Sequence, residues 1–209
     1  ERAAARAGDD GDVQGIVGLE GGWLYYLASP DDPTQRFLYR VALAGGTPER
    51  LTPAEAPGWN EYEIAPGGDL AIVTASSFSS VPVSAMVELP GHARIRVLED
   101  NAAAAAAHAA LRLGARERFR VTTLSGIELD GWALYPPDFD PRERWPVLFH
   151  VYGEPWGQTV QDRAGIRHEL WHLLLTQRGY VVISLDGRGT PAPRGREWRK
   201  CVYGSIGVL

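Results

Sequence analysis

The feature that most constrains the fold is an order of short strands and turns that occurs twice in the first 100 residues. The predicted strands of the first copy are 22–28, 36–41 and 49–52, and those of the second copy are 69–75, 84–89 and 94–98. Leu24 and Ala71, at equivalent places in the two copies, lie 47 residues apart. Short strands at such a period are typical of β-propeller blades, of which two cannot close a ring. An ordinary antiparallel sandwich would also account for two copies.

The region that follows has a different composition. Residues 101–116 contain Asn101, a run of alanines and His108, and alanine favours a helix while burying little surface. We therefore expect a helical connector or linker there. From Glu117 onward, alternating segments at 118–124 and 128–135 surround Ser125-Gly126 and predict a hairpin.

The last part of the chain predicts an α/β sheet. The apolar segment 145–152 is typical of a strand buried on both faces, and 180–185 has the same character. Between them, 168–177 has helical spacing, with Leu170, Leu173 and Leu174 on one face, and Gly179 is expected to end the helix. A hairpin followed by strand, helix and strand is the opening of a sheet covered by helices.

Composition excludes several functional classes. The formal net charge is −5, so nothing indicates a surface for nucleic acid. No stretch approaches 18 apolar residues, so we expect no membrane span, and Cys201, the single cysteine, excludes an internal disulfide. Residues 1–11 lack a methionine and the apolar core of a signal peptide, so the natural start is expected elsewhere. The sequence leaves the cellular compartment open.

Several segments of the second half carry a family signature. They are 146–155, 170–182, 186–191, 195–197 and 203–207. In these segments the chain resembles the dipeptidyl-peptidase IV group of the prolyl oligopeptidase family, whose members place a β-propeller before an α/β-hydrolase domain. The resemblance implies a mixed fold, with the C-terminal blades of a propeller in 1–100 and an alanine-rich linker in 101–116. It implies the N-terminal part of an α/β-hydrolase domain in 117–209, truncated before the nucleophile.

The resemblance also implies a function. Members of the family are serine peptidases that release short N-terminal peptides through a Ser-His-Asp triad, with the serine on a G-x-S-x-G elbow. The serine, aspartate and histidine of that triad are all expected outside this chain, so the chain alone should be inactive. A peptide is the expected substrate and no cofactor is implied. Relatives often dimerise through the hydrolase domain, which leaves a homodimer of the full-length protein open.

One catalytic group of the family falls inside the match. The family has a tyrosine after the third strand of the hydrolase sheet, and the matching residue is Tyr152. The resemblance assigns its hydroxyl to the oxyanion hole, whereas the residues alone are also compatible with a tyrosine that only packs at a strand end. Glu154 departs from the family pattern, which usually has glycine there. A carboxylate beside an oxyanion site would oppose the negative charge that develops on the oxygen.

A competing motif suggests a zinc peptidase. His168, Glu169 and His172 match H-E-x-x-H, in which two histidines on one helical face bind zinc and the glutamate acts as base. A third ligand is missing, because the downstream Glu197 is predicted to lie in a loop. We therefore expect a pair of surface histidines rather than a metal site.

Three further alternatives concern other residues. Ser205 is not a nucleophile elbow, because Tyr203 stands where glycine is needed and no strand precedes it. Asp186 and Arg188 follow a predicted strand, and we expect Arg188 to tie together loops near the site. The protein could also be a non-catalytic propeller-hydrolase relative that acts as a binding module, and an elbow serine downstream of Leu209 would exclude that alternative.

Overall fold

A computed structural model describes residues 12–153, 155–166 and 168–206. These residues form twelve strands and three helices, with the strands in three four-stranded sheets. The chain divides into two compact units. Unit 1 takes in the chain up to Ala102 together with Asp162–Ala164 and Pro193–Gly195, and unit 2 contains the remaining residues.

Unit 1 holds two antiparallel sheets, each with its strands in chain order. The first contains β1 (Val13–Glu20), β2 (Trp23–Ala28), β3 (Phe37–Ala42) and β4 (Glu49–Arg50), and the second contains β5 (Trp59–Ile64), β6 (Leu70–Ser77), β7 (Ser80–Glu88) and β8 (Arg94–Glu99). The six strands predicted from the repeat are confirmed as β2 to β4 and β6 to β8. The first strand of each sheet, β1 and β5, was not predicted.

The core of unit 1 lies between the two sheets. The first sheet and the segment that follows it contribute Tyr25, Leu38 and Leu51, and β6 and β7 contribute Val73 and Val87. All of these side chains are buried, and Leu38 has no exposed surface. Burying side chains of this kind stabilises a fold by about 1.5–3 kcal/mol each. The alternation of apolar and polar residues along each strand thus directs one face of each sheet inward.

A glycine turn between β5 and β6 ties the two sheets together. Gly67 and Gly68 have φ values of 98° and 82°, which favour glycine. A Cβ added at Gly68 would lie 2.8 Å from the hydroxyl oxygen of Tyr25. That hydroxyl donates a hydrogen bond to the Gly68 carbonyl at 3.1 Å. The turn therefore brings its backbone against a core tyrosine of the first sheet.

Unit 2 is built on a mixed sheet. Its strands are β9 (Arg116–Thr122), β10 (Glu128–Leu134), β11 (Val147–His150) and β12 (Val181–Leu185), and its order is β11-β12-β10-β9. Only β11 and β12 run parallel. The helices within the described residues are α1 (Ala102–Ala109), α2 (Glu169–Thr176) and α3 (Gly195–Lys200). Helix α1 has no buried residue, as expected of a connector.

Two predicted burial patterns in unit 2 were wrong. Strand β11 was expected to be buried on both faces, but Phe149 is 59% exposed, and among the described residues β11 pairs with β12 alone. In α2, Leu170 and Leu174 are exposed, and the buried residues are His172, Leu173 and Thr176. The contact between α2 and the sheet selects a different face of the helix than the leucine spacing indicated.

The end of α2 was predicted correctly. Gly179 has φ of 81°, and the amide of Tyr180 beyond it donates to the Leu175 carbonyl at 3.1 Å. This left-handed glycine lets the chain turn back into β12. None of the helices that the structure describes has the length and apolar character needed to span a membrane.

Candidate functional site

A pocket of about 270 Å³ lies in unit 2 at the ends of two parallel strands. Because β11 and β12 run in the same direction, the loops that leave their carboxyl ends meet at one edge of the sheet, where ligands of open α/β sheets bind. Tyr152 follows β11 and Asp186 directly follows β12, and both line the pocket. Arg188 and Thr190 add polar groups to the same wall.

The ring of Tyr152 packs against the loop that continues from it. A Cβ added at Gly157 would lie 2.8 Å from Cδ1 and 2.9 Å from Cε1 of Tyr152, closer than real Cβ contacts allow. The absence of a side chain at Gly157 therefore lets the backbone lie directly on the half-buried ring. The position of the tyrosine depends on the path of this loop.

Asp186 holds the far end of that loop. Its Oδ1 accepts hydrogen bonds from the amide of Thr159 at 2.8 Å and from the Thr159 hydroxyl at 2.7 Å. Its Oδ2 accepts from the amide of Val160 at 3.0 Å. The indole nitrogen of Trp132 on β10 donates to the Thr159 carbonyl at 3.0 Å. The loop is thus attached to two neighbouring strands.

The electrostatic setting of Asp186 combines opposing effects. Burial raises the pKa of its carboxyl, hydrogen bonds from Thr159 and Val160 lower it, and the nearby Asp130 raises it, with a net increase above the ordinary value. The side chain is 4% exposed. Hydrogen bonds of this kind stabilise the ionised form. Because both carboxylate oxygens accept bonds from the loop and the residue is buried, the carboxylate holds the loop backbone and does not face solvent.

The segment that follows α3 also lines the pocket, through Val202 and Ile206. Gly189 has φ of 87°, and a Cβ there would lie 2.4 Å from a methyl group of Val202. Its amide donates to the Trp198 carbonyl at 3.1 Å. The expectation that Arg188 ties loops together was wrong: its side chain is exposed, and no hydrogen bond or ion pair joins it to another described residue. The buried Asp186 makes those connections.

A cluster of three histidines lies beneath α2. The ring centroids of His150 and His172 are 4.8 Å apart, and that of His168 lies 6.1 Å from the first and 6.3 Å from the second. The expected pair of surface histidines was wrong, because His172 is fully buried while His168 is exposed. Burial, together with the smaller effects of the neighbouring His150 and His168, lowers the pKa of His172 to about 4.

The H-E-x-x-H motif does not form one continuous helical face. His168 precedes α2 in a left-handed conformation, with φ of 63°. The carboxylate of Glu169 pairs with Arg116 at 2.6 Å. Glu197 lies in helix α3 rather than in the predicted loop. In the part of the chain that the structure describes, no three acidic, histidine or cysteine side chains are arranged to hold a metal ion.

Two other residues were singled out in the sequence, Ser205 and Glu154. Ser205 follows α3 and lies in no strand. Glu154, the departure from the family pattern, lies outside the described residues. Sequence reasoning missed Thr159 and the anchoring role of Asp186. An acidic residue directly after a buried strand was the available signal, but its partners belong to a loop 26 and 27 residues earlier.

Comparisons with known proteins find similarity to dipeptidyl peptidases along both halves of the chain. The family described as "Dipeptidyl peptidase IV (DPP IV) N-terminal region" matches residues 10–82. Dipeptidyl-aminopeptidase B of Aspergillus niger is 31% identical over 198 residues, which cover 94% of this chain and 21% of that protein. The crystal structure of Porphyromonas gingivalis dipeptidyl peptidase 4 superposes with a TM-score of 0.87 at 33% identity, over 97% of this chain and 28% of that one.

This chain is similar to the dipeptidyl-peptidase IV proteins over most of its length. A second solved structure, from Bacteroides ovatus, shares the fold with a TM-score of 0.79 at 19% identity. The dipeptidyl-peptidase-IV-like chain spans about a fifth of the length of the curated relatives it matches. The family match lies in unit 1, whereas the motifs that carried the resemblance in the sequence lie beyond residue 117. The family match and the sequence motifs therefore lie in different parts of the chain.

Proposed function

We propose that the protein containing this chain is a serine-type peptidase that releases short N-terminal peptides by acyl transfer. The observation that carries the proposal is the position of Tyr152, which lines the pocket where two parallel strands end. Acyl transfer builds negative charge on the carbonyl oxygen, and a donor aimed at that oxygen stabilises the transition state by about 3–4 kcal/mol. We assign the Tyr152 hydroxyl to this role.

The proposal includes an architecture. The two antiparallel sheets of unit 1 are interpreted as propeller blades within residues 1–100, joined by the 101–116 linker to the first part of an α/β-hydrolase domain in 117–209. The chain-order topology of the two sheets and the parallel β11–β12 pair support this interpretation. No G-x-S-x-G elbow occurs in the 209 residues, and the proposal assigns the nucleophile, with its histidine and aspartate, to another part of the protein.

In the proposed reaction, the serine hydroxyl attacks the scissile carbonyl carbon while the histidine accepts its proton. The carbonyl π electrons move to oxygen, where Tyr152 donates a hydrogen bond to the developing charge. The C–N bond then breaks, and the histidine returns the proton to the leaving amine. Water hydrolyses the acyl-enzyme by the same steps. The substrate is a peptide with a free N-terminus, and no cofactor takes part.

A kinetic comparison of the full-length protein with its Tyr152→Phe variant tests the assignment. Phenylalanine removes the hydroxyl and keeps the ring that packs on Gly157. We expect kcat to fall by about 10²–10³, with KM little changed. Tyr180→Phe, which alters another tyrosine of unit 2, is the matched control and should leave kcat unchanged. A kcat of Tyr152→Phe within about threefold of the wild type would make Tyr152 a packing residue.

The reaction class needs a separate test. The full-length protein should hydrolyse a dipeptidyl chromogenic substrate and be labelled covalently by a fluorophosphonate that reacts with activated serines. A protein limited to residues 1–209 should do neither. A full-length protein that is folded but shows neither turnover nor labelling would support the non-catalytic binding module instead.

A further inference from the structure

We propose that Asp186 is a positioning residue for Tyr152, holding the tyrosine in place through the segment 157–160. The inference rests on the proposed function, because it concerns how the oxyanion donor is kept in place. Asp186 does not need to touch the substrate for this role. Its effect on the reaction should pass through the Tyr152 hydroxyl and through nothing else.

Asp186 fixes one end of the loop, at Thr159 and Val160. Asp186 accepts three hydrogen bonds, from the amide and hydroxyl of Thr159 and from the amide of Val160, at 2.7–3.0 Å. The Thr159 hydroxyl also lies 2.9 Å from the hydroxyl of Ser184 on β12. Val160 is fully buried. Because one carboxylate organises two successive residues, the backbone at this point has little freedom.

The second step carries this constraint to the tyrosine. Gly157 lies two residues before Thr159, and its Cα has no room for a side chain against the Tyr152 ring. The Gln158 side chain, between them, donates to the Val160 carbonyl at 2.9 Å and closes the segment on itself. A shift of Thr159 away from Asp186 would therefore move Gly157 off the ring. The ring would then gain freedom to leave the donor position.

The third step explains why a carboxylate is needed. An ionised aspartate offers acceptors on both oxygens, and here each oxygen faces an amide N–H of the loop. Asparagine would keep one acceptor and turn an NH₂ group toward the other N–H. Burying a carboxylate also opposes its ionisation, as the raised pKa of Asp186 shows, so its hydrogen bonds to the loop offset a real cost.

The test is a double-mutant cycle in the full-length protein. Asp186→Asn alone should lower kcat by about 10–100-fold with KM changed less than about threefold, because misplacing a catalytic group by about 1 Å costs up to about 10² in rate. In the Tyr152→Phe background the same substitution should change kcat by less than about threefold. Such non-additivity is expected when one residue acts through another.

Two further variants keep the outcome decisive. Glu128→Gln changes another carboxylate on the adjacent strand β10, 3.9 Å from Arg120, and it should leave kcat unchanged. Thr159→Val removes the hydroxyl contacts to Asp186 and Ser184 but keeps the amide bond to Asp186. It should show the same dependence on background, with a smaller effect, even where Asp186→Asn fails to fold. Equal losses of kcat in both backgrounds would overturn the positioning role alone. An unaffected kcat in Tyr152→Phe would overturn the proposed function as well.

Discussion

The two units of this chain are stabilised inside by different kinds of side chain. Between the two sheets of unit 1, the packing is dominated by apolar and tyrosine residues such as Leu38 and Tyr25. Around β10 and β12 of unit 2, the buried set also includes a carboxylate and an imidazole, those of Asp186 and His172. The comparison teaches that the core between the sheets of unit 1 is held mainly by apolar burial, whereas the loop beside the pocket of unit 2 is held by directed polar contacts.

This contrast has an energetic consequence. Apolar burial is non-directional, so losing part of it reduces stability without moving a particular atom. A buried hydrogen bond or ion pair fixes geometry, and removing one partner leaves the other unsatisfied. Substitutions in unit 1 should therefore change stability, whereas substitutions in unit 2 should also change activity or its dependence on pH.

The largest effect on stability is expected in unit 1. Leu38→Ala should destabilise the full-length protein by about 2–5 kcal/mol, because it leaves a cavity at a side chain with no exposed surface. The kcat of the folded protein should stay the same. Leu43→Ala, at a half-exposed leucine just beyond β3, is the control. Thermal and urea unfolding measure both variants, and equal losses would contradict apolar packing as the basis of unit 1.

An intermediate effect is expected at the ion pair of α2. Glu169→Gln removes the charge that pairs with Arg116, at side chains only 15% and 10% exposed, and should cost about 1.5–3 kcal/mol. Activity at a permissive temperature should survive, and a chelator should not change it. Glu128→Gln, in a more exposed pair 3.9 Å from Arg120, should cost less than about 1 kcal/mol. The metallopeptidase alternative would be favoured by two results together. Glu169→Gln would lose activity, and the wild type would lose activity to a chelator and regain it with zinc.

The smallest effect on stability near neutral pH is expected at His172, and this effect should grow as the pH falls. Its folded pKa of about 4 lies below the ordinary value of 6.5, so between these values the unfolded chain binds more protons than the folded one. Its contribution to stability is complete above pH 6.5 and is lost as the pH falls through about 4. The melting temperature of His172→Leu should therefore fall less over this window than that of the wild type.

A histidine of unit 1 provides the control for this pH effect. Burial lowers the pKa of His92 as well, but its ring is hydrogen-bonded to the Tyr62 hydroxyl at 2.8 Å and is only partly buried. His92→Gln should therefore alter the acid sensitivity of the melting temperature less than His172→Leu does. A larger change in His92→Gln would place the main acid-sensitive histidine in unit 1 and break the contrast between the units.

Local patterns in the sequence predicted much of the secondary structure. Alternation and turn residues located β2, β3, β6 and β7, and the alanine run located α1, because these signals act between residues that are close in sequence. The missed strands had weak local signals. Strand β1 contains Gly15 and Gly18 and has irregular register against β2, and β5 is half polar.

The sequence by itself also determined that Tyr152 and Asp186 each follow an apolar strand, because strands and their ends are encoded locally. Only the tertiary structure decided that both side chains line one pocket, that Asp186 binds a loop far from it in sequence, and that β11 lies at an edge while His172 is buried. The physical reason is that burial and hydrogen-bond partners depend on which strands pair and in what order. The spacing of residues along one segment does not carry that information.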